Sequence, residues 1–317
     1  MVKYILHPSN KIINIMSYRK NIKLYKRQKL LLALLQVFDG CLSSLELQEY
    51  LFLYTILYQE NKSYEFIPSK YGCFSYQSYA DRRKLIDFGL IDSSDKWRLI
   101  TSNDYINELD NIEQKRLTLF INRFKYLKNK ELSRYIFKNY PYYGIKSQII
   151  SEILNKDELY LINKIRPRQQ DSTFFTIGYE GITLENYLNS LIKNNISVLC
   201  DVRKNAISRK YGFSKDSLKQ ILKQLNIEYC HLPELGIVSE SRKELNTQND
   251  YDNLFDSYEK YISTEKSEYL DKLKVIMDNN KRIAITCFES VYIKCHRSRV
   301  AKLLASRPDW NYKIKHI

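Results

Sequence analysis

The stretch Thr173-Phe-Phe-Thr-Ile-Gly178 begins the pattern that decides the fold of the second half of the chain. It reads as an apolar strand, and Thr183 is placed to cap a helix directly after it. Three further strands are predicted at residues 196–200, 227–231 and 282–287, with later helices at 251–279 and 298–306 and a last strand at 312–317. Strict alternation of helices with strands that are apolar on both faces indicates a parallel sheet covered by helices. We therefore predict a three-layer, mostly parallel, Rossmann-like α/β domain over residues 172–317.

The first part of the chain is predicted to be mainly helical and to form a separate domain, residues 1–165. Leucines at positions 30, 31, 34 and 35 have a helical spacing that buries one face, and Asp39-Gly40 ends that helix. A second helix, capped by Ser43 or Ser44, and a third at residues 76–88 precede a short strand at 95–101. This order is expected of a winged-helix module. A polar segment that contains proline, residues 161–172, separates the two parts.

Length and composition indicate a globular protein with two domains. The 317 residues are about twice the usual domain length, and the sequence has no run of about 18 apolar residues that would predict a membrane span. Six cysteines are too few for a disulfide scaffold, so without a visible export signal we expect a cytoplasmic protein with reduced thiols and no membrane partner. The formal charge of +15 predicts attraction to nucleic acid or a nucleotide, although a compositional bias towards lysine would give the same excess.

Polar side chains follow each predicted strand of the second domain. The carboxyl ends of parallel strands share one edge of a sheet, where ligands bind in open α/β folds. The candidates for acid, base or thiol chemistry at this edge are Cys287, Cys295, His296, Asp201 and Glu289. The candidates for binding an anionic substrate are Arg203, Arg209, Arg297, Tyr179 and His231.

Cys295 precedes a predicted helix, whose first amides are expected to lower the pKa of a thiol and to attract an anion. Together with Cys287 it has three interpretations: a nucleophile with a partner thiol, a metal site, or small core residues. Zinc normally takes four ligands, and the side chains of adjacent residues such as Cys295 and His296 are expected to diverge. We therefore expect no metal and no cofactor at this edge.

The second domain carries a series of short motifs in a fixed order: Thr176-Ile-Gly-Tyr-Glu, Asp201-Val-Arg203, Ser208-Arg209, Phe213, residues 229–236, Arg242, Cys287-Phe-Glu289, Cys295-His-Arg297 and His316-Ile317. In these motifs, residues 173–317 resemble the bacterial and archaeal family called domain of unknown function 488. The resemblance implies an α/β domain with a polar, cysteine-containing site and no established activity. It implies functional roles for Asp201, Arg203, Arg209, Glu289, Cys295, His296 and Arg297. Tyr179 and Phe288 depart from residues common in the family, which implies a different substrate if position 179 touches it.

In the first domain, residues 66–75, Asp81 and Gly89-Leu-Ile91 look like the small winged-helix-like domains of the YwgA type and of the antitoxin Panacea group, a resemblance that covers about a third of the chain. That similarity implies a binding or regulatory module. Arg82, Arg83, Lys84 and Arg98 are its candidate contacts to nucleic acid. A solvated helix face is the explanation we favour for the run of residues 82–84.

Two functional hypotheses follow from these patterns. In the first, the second domain is an enzyme that acts on a nucleotide, a nucleic acid or another phosphorylated substrate. In the second, the protein is a regulator or defence component without catalytic activity: the first domain binds DNA or a partner and the second binds a small anion. A structural zinc site is a third possibility.

Overall fold

The computed structural model describes residues 23–169, 171–238 and 247–317. The chain divides into two compact units, Met1–Arg166 and Pro167–Ile317. The division falls inside the polar segment that the sequence suggested as the domain boundary. Arg242, which belongs to the motifs of the resemblance, lies outside the described residues. Within the described ranges, no helix is long and apolar enough to cross a membrane.

The N-terminal unit consists of helices with two small antiparallel strand pairs. Its elements are α1 (Lys26–Val37), β1 (Cys41–Leu42), α2 (Ser44–Tyr58), β2 (Ile67–Ser69), β3 (Gly72–Phe74), α3 (Tyr76–Asp87), β4 (Trp97–Arg98), α4 (Asn111–Phe124), α5 (Asn129–Asn139), α6 (Ile150–Ile153) and α7 (Lys156–Ile165). Strand β1 pairs with β4, and β2 pairs with β3. The winged-helix interpretation of this order stays a prediction.

Helices α1 and α2 form the centre of the N-terminal unit. Residues 30–35 of α1 are all buried, so this helix is covered on more than the single face that the leucine spacing predicted. Ser43 caps α2, because its side chain accepts a hydrogen bond from the Glu46 amide while Glu46 binds back to the cap. Glu49 of α2 is also buried, and its Oε1 accepts a hydrogen bond of 2.5 Å from Ser133 of α5.

The C-terminal unit has the predicted alternation of strands and helices. Its elements are β5 (Thr173–Gly178), α8 (Leu184–Lys193), β6 (Val198–Asp201), α9 (Lys215–Gln224), β7 (Glu228–His231), α10 (Gln248–Glu265), α11 (Ser267–Asn280), β8 (Arg282–Cys287), α12 (His296–Ala305) and β9 (Lys313–His316). The five strands form one sheet in the order β7-β6-β8-β5-β9, and every pair is parallel. This confirms the Rossmann-like α/β fold.

Helices cover both faces of the sheet. On one face, Phe174 and Ile285 share a buried cluster with Ile262 of α10 and Val300 of α12. On the other face, the Tyr187 hydroxyl of α8 donates to Thr286 of β8 at 2.8 Å. Helices α8 and α12, which follow the neighbouring strands β5 and β8, therefore lie on opposite faces. Such a reversal opens a crevice between the carboxyl ends of two adjacent strands, where α/β proteins bind ligands.

Several element boundaries differ from the sequence prediction, and two of these differences lie in the helices around the site. The segment predicted to be helical with few breaks, residues 251–279, is two helices that meet at Lys266, whose φ of −132° is not helical. Helix α12 begins at His296 instead of Ser298, so Cys295 is its N-cap residue. This shift places the Cys-His-Arg motif in the first turn of the helix rather than before it.

Candidate functional site

The loops after β6 and β8 meet at the carboxyl edge of the sheet. His296, the first residue of α12, donates a hydrogen bond from Nε2 to the Val202 carbonyl at 2.9 Å. This contact joins the segment that follows Asp201 to the segment that follows Cys295. The edge predicted from the sequence therefore brings these distant parts of the chain together.

Four donor groups converge beside this contact: Cys287, Glu289, Cys295 and His296, which we call the Cys-Glu-Cys-His cluster. One sulfur, nitrogen or oxygen atom from each lies within 4.8 Å of the others. His296 Nδ1 is 3.6 Å from the Cys287 sulfur and 4.0 Å from the Cys295 sulfur. The Cys287 thiol lies 3.2 Å from Glu289 Oε2 and donates to it. The two cysteines and the histidine are buried, and Glu289 is partly exposed.

The hydrogen bond to Val202 determines which ring nitrogen of His296 carries a proton and which one faces the two sulfurs. A carbonyl oxygen only accepts, so Nε2 must carry the proton. In the neutral imidazole Nδ1 is then the atom with the lone pair, and this is the atom that faces the two sulfurs. The ring is therefore oriented as a base or as a metal ligand towards the thiols.

Cys295 does not have the activated thiol that its place at a helix N-terminus predicted. Its side chain is fully buried, and that burial raises the pKa of the Cys295 thiol well above its ordinary value. A helix N-terminus stabilises a negative charge by about 0.3–1 kcal/mol, which is less than the cost of burying an ionised group. The expectation of a lowered pKa was wrong because desolvation outweighs the helix.

Adjacent Cys295 and His296 nevertheless reach the same point. Cys295 has extended backbone angles, φ −129° and ψ 139°, and the chain turns into a helix at the next residue. Adjacent side chains diverge along a regular strand, but this change of backbone direction brings the two together. The geometric objection to a metal site at this motif was therefore wrong.

The loop that carries Glu289 is held through its main chain. The amides of Tyr179 and Glu180 both donate to the Phe288 carbonyl, at 3.1 and 2.9 Å. The Glu180 carboxylate accepts from the Ser290 amide at 3.0 Å. A Cβ atom on Gly178 would lie 1.9 Å from the Glu289 carbonyl oxygen, so only glycine allows this approach of β5 to the loop.

Arg297 supports the same loop from α12. Its guanidinium donates to the carbonyls of Glu289 and Ser290, the latter at 2.9 Å. The side chain is almost completely buried, and its Nε has no hydrogen-bond partner. Arg297 therefore lies beside the Cys-Glu-Cys-His cluster, as the sequence predicted. Its Nη groups, however, bind protein carbonyls.

Asp201 and Arg203 form a second, buried network next to the cluster. Arg203 Nε and Nη2 both bind the Asp201 carboxylate, which also accepts from the Tyr229 hydroxyl at 2.7 Å. Arg203 Nη1 donates to the Tyr179 hydroxyl and to the Phe213 carbonyl, at 2.8 and 2.9 Å. Burial alone would lower the pKa of Arg203, but the bonds and charge of Asp201 outweigh it and raise that pKa. The network joins the predicted residues Asp201, Arg203 and Tyr179 to each other.

The remaining predicted substrate contacts lie around this network. His231 Nε2 donates to the Arg203 carbonyl at 3.0 Å, so it too is tied to the segment after β6. Arg209 lies further along that segment and is exposed. Of the predicted cations at this edge, Arg209 is therefore the one on the surface.

A cavity of about 420 Å³ opens at the Cys-Glu-Cys-His cluster. Glu289 is the cluster member that lines it, next to Glu180 and Lys294. Its apolar wall comes from α10 and from Val291. The exposed apolar side chains Phe288 and Ile293 lie on the same loop. A ligand in this cavity would touch a carboxylate of the cluster and an exposed lysine.

The candidate nucleic-acid contacts of the N-terminal unit fall into two groups. Arg82 lies over the Trp97 ring at 5.1 Å, and its Nη2 donates to the Lys96 carbonyl at 3.2 Å. Arg83 and Lys84 are exposed on α3. Arg98 is exposed and lies 3.8 Å from Asp92. Arg82 therefore supports the turn before β4, while the role of all four in binding nucleic acid stays a prediction.

Sequence reasoning missed the parts of the site that are main-chain atoms. The Val202 carbonyl that orients His296 has no signal in the sequence, because every residue carries a carbonyl. Ser290 and Gly178 were also missed as residues that hold the Glu289 loop. The glycine at the end of a strand was the available signal, because such a glycine often marks a close approach of two backbones.

The comparisons with known proteins agree with the motifs. Residues 183–304 match the family model described as Domain of unknown function DUF488. No curated protein and no solved structure matches the chain. Through residues 183–304, the C-terminal unit thus matches the family of unknown function that its motifs resemble.

Proposed function

We propose that the C-terminal unit is an enzyme that acts on a nucleotide, a nucleic acid or another phosphorylated substrate. The observation that carries this proposal is the Cys-Glu-Cys-His cluster beside a cavity at the carboxyl edge of a parallel sheet. Proton-transferring and nucleophilic groups that converge in a cleft are the usual components of an active site.

Glu289 is the group best placed to exchange a proton with a bound substrate. It accepts the hydrogen bond of the Cys287 thiol and lines the cavity, so it links the buried sulfur to the substrate space. If a cysteine is the nucleophile, Cys287 is the better candidate, because Glu289 accepts its proton directly. Burial raises the pKa of Cys295 and opposes the same role for that thiol.

Charge and exposed rings support a nucleotide or nucleic acid as the substrate. The formal charge is +15, and Lys294 at the cavity and Arg209 on the segment after β6 are exposed cations. Phe288, 46 % exposed, offers a ring face on the loop that borders the cavity, whereas one face of the Tyr292 ring is already stacked on His316. Stacking on such rings contributes about 1–3 kcal/mol per base, and it favours substrates that carry a base over simple phosphate esters.

The alternative is a regulator without catalytic activity whose C-terminal unit binds a small anion. The observation that favours it is the complete burial of Cys295, since an inert thiol needs no chemical role. Under this alternative, ligands bind but are not converted.

The test is a panel of nucleoside triphosphates, dinucleotides and short single-stranded DNA and RNA, assayed for phosphate release and strand cleavage. We expect the wild-type chain to convert at least one of them, and Glu289→Gln to lower its rate by about 10²–10⁴-fold, as for loss of a general base. The matched control is Glu228→Gln, an exposed carboxylate at the opposite end of β7. Saturable binding without turnover in the wild type would favour the alternative.

A further inference from the structure

We infer that the Cys-Glu-Cys-His cluster is a binding site for one zinc ion, with Cys287, Cys295 and His296 as ligands and Glu289 at the fourth position. The inference goes beyond the proposed function, because it holds whether or not the unit is an enzyme. Four lone-pair donors from two segments of the chain share one small volume. Two thiolates with an imidazole are a donor set that selects zinc over the harder metal ions magnesium and calcium.

Three of the six distances between the donor atoms are close to those of a tetrahedral zinc centre. Zinc lies about 2.3 Å from sulfur and about 2.0–2.1 Å from nitrogen or oxygen, which places sulfur about 3.6 Å from either atom. Cys287 Sγ is 3.6 Å from His296 Nδ1 and 3.2 Å from Glu289 Oε2. Cys295 Sγ is 4.0 Å from the same nitrogen. These three separations are therefore within about 0.4 Å of those that zinc requires, and all four donor atoms lie within 4.8 Å of one another.

Residues around the cluster hold its side chains in the orientation that metal binding requires. Metal-bound histidines commonly donate their second ring nitrogen to a carbonyl, which fixes the tautomer, and His296 does so to Val202 at 2.9 Å. The main chain of Glu289 is held by Arg297, which also places a buried positive charge beside the donors. Both interactions orient ligands without occupying Nδ1 or the sulfurs.

Three of the four ligands are shielded from solvent, and the fourth can be reached from the cavity. Cys287, Cys295 and His296 are buried, whereas Glu289 is partly exposed and lines the cavity. Three protein ligands with a fourth, exchangeable position are typical of catalytic zinc, and four closed ligands of structural zinc. Two thiol protons leave to solvent as the ion binds, so the thiolates balance its charge. In the proposed enzyme, on which this step rests, the cysteines then serve as ligands instead of nucleophiles.

The experiment measures metal directly in the full chain. After equilibration with zinc and removal of free metal, we expect about one zinc per chain by mass spectrometry. Replacing zinc with Co²⁺ should produce a thiolate-to-cobalt charge-transfer band. Cys287→Ser and Cys295→Ser should each weaken affinity by more than the roughly 10–100-fold that loss of a supporting residue costs. The control, Cys230→Ser, changes a half-buried thiol of the same unit and should retain full affinity.

Two results would overturn the inference: wild-type protein without stoichiometric zinc and without a cobalt–thiolate band, or a band that both serine variants retain. If the serine variants fail to fold, the same question can be tested by alkylating the cysteines of the wild-type chain. Removal of zinc by a chelator should then increase the labelling of Cys287 and Cys295. Equal labelling with and without the chelator would contradict the site. Zinc binding without turnover on the substrate panel refutes the proposed function alone. Turnover by metal-free protein leaves that function intact and refutes the zinc site as its centre.

Discussion

Asp201→Asn tests whether the Asp201–Arg203 pair holds the site together or reacts in it. The carboxylate is completely buried and Arg203 is 5 % exposed, so water screens the pair very little. The carboxylate accepts from two guanidinium nitrogens and from the Tyr229 hydroxyl. Asparagine keeps the volume but removes the charge, which leaves the Arg203 cation buried without its partner.

Removal of one partner from a buried ion pair destabilises a protein by about 3–5 kcal/mol. For a unit of roughly 150 residues, each kcal/mol shifts the melting temperature by about 2–4 °C, so we expect a decrease of about 6–20 °C. Urea denaturation gives the free energy directly. Trp310 is the one tryptophan of the C-terminal unit, and changing Trp97, the only other tryptophan, to phenylalanine makes fluorescence report this unit alone.

The control is Asp256→Asn, an exposed carboxylate on α10, whose unfolding free energy should stay within about 0.5 kcal/mol of the wild type. A loss below about 1 kcal/mol in Asp201→Asn, measured against the 3–5 kcal/mol of a buried pair, would refute the structural role. Combined with lost turnover on a substrate found in the panel, that result would support the catalytic role predicted from the sequence instead.

Two further predictions concern Glu49 and Gly178. Burial raises the pKa of Glu49 to about 8 from 4.5, so between these values the folded carboxyl is protonated and the unfolded one ionised. The free energy of unfolding therefore falls by about 1.4 kcal/mol per pH unit across that window and levels off above it. Glu49→Gln should remove this slope in urea titrations from pH 5 to 9, whereas Glu60→Gln, an exposed control, should retain it. Gly178→Ala should displace the Glu289 loop, because the added Cβ would lie 1.9 Å from the Glu289 carbonyl oxygen. The cobalt–thiolate band of the variant measures this displacement, and a band of wild-type strength and position would contradict the prediction.

The fold of the C-terminal unit could be predicted because its central strands are apolar and buried along their whole length, which is typical of a parallel sheet covered by helices on both faces. Strand β8 matches its predicted bounds, and Thr183 caps α8 through its side chain, as its position before an apolar helix suggested. The break at Lys266 could not be predicted, because the helical pattern continues through it. The position of a helix end also depends on tertiary contacts, as the early start of α12 at His296 shows.

The sequence predicted where the candidate site lies but not which partners its side chains bind. Parallel topology brings the carboxyl ends of β5, β6 and β8 to one edge whatever the side chains do. A sequence does not say whether a guanidinium meets a ligand or the protein itself, and Arg203 and Arg297 both donate to the protein. The sequence gives the charge of a residue, but the contacts of its side chain depend on how the chain packs.

The Glu289 loop is held through its main chain: the amides of Tyr179 and Glu180, directly after β5, donate to the carbonyl of residue 288, and the Arg297 side chain donates to the carbonyls of residues 289 and 290. The side chains of Phe288 and Val291 take no part in these attachments and face outward. Substitutions at these two positions should therefore change the wall of the cavity while the main-chain bonds that hold Glu289 stay in place. In the proposed enzyme, such a loop would let the preference for a substrate change without rebuilding the Cys-Glu-Cys-His cluster.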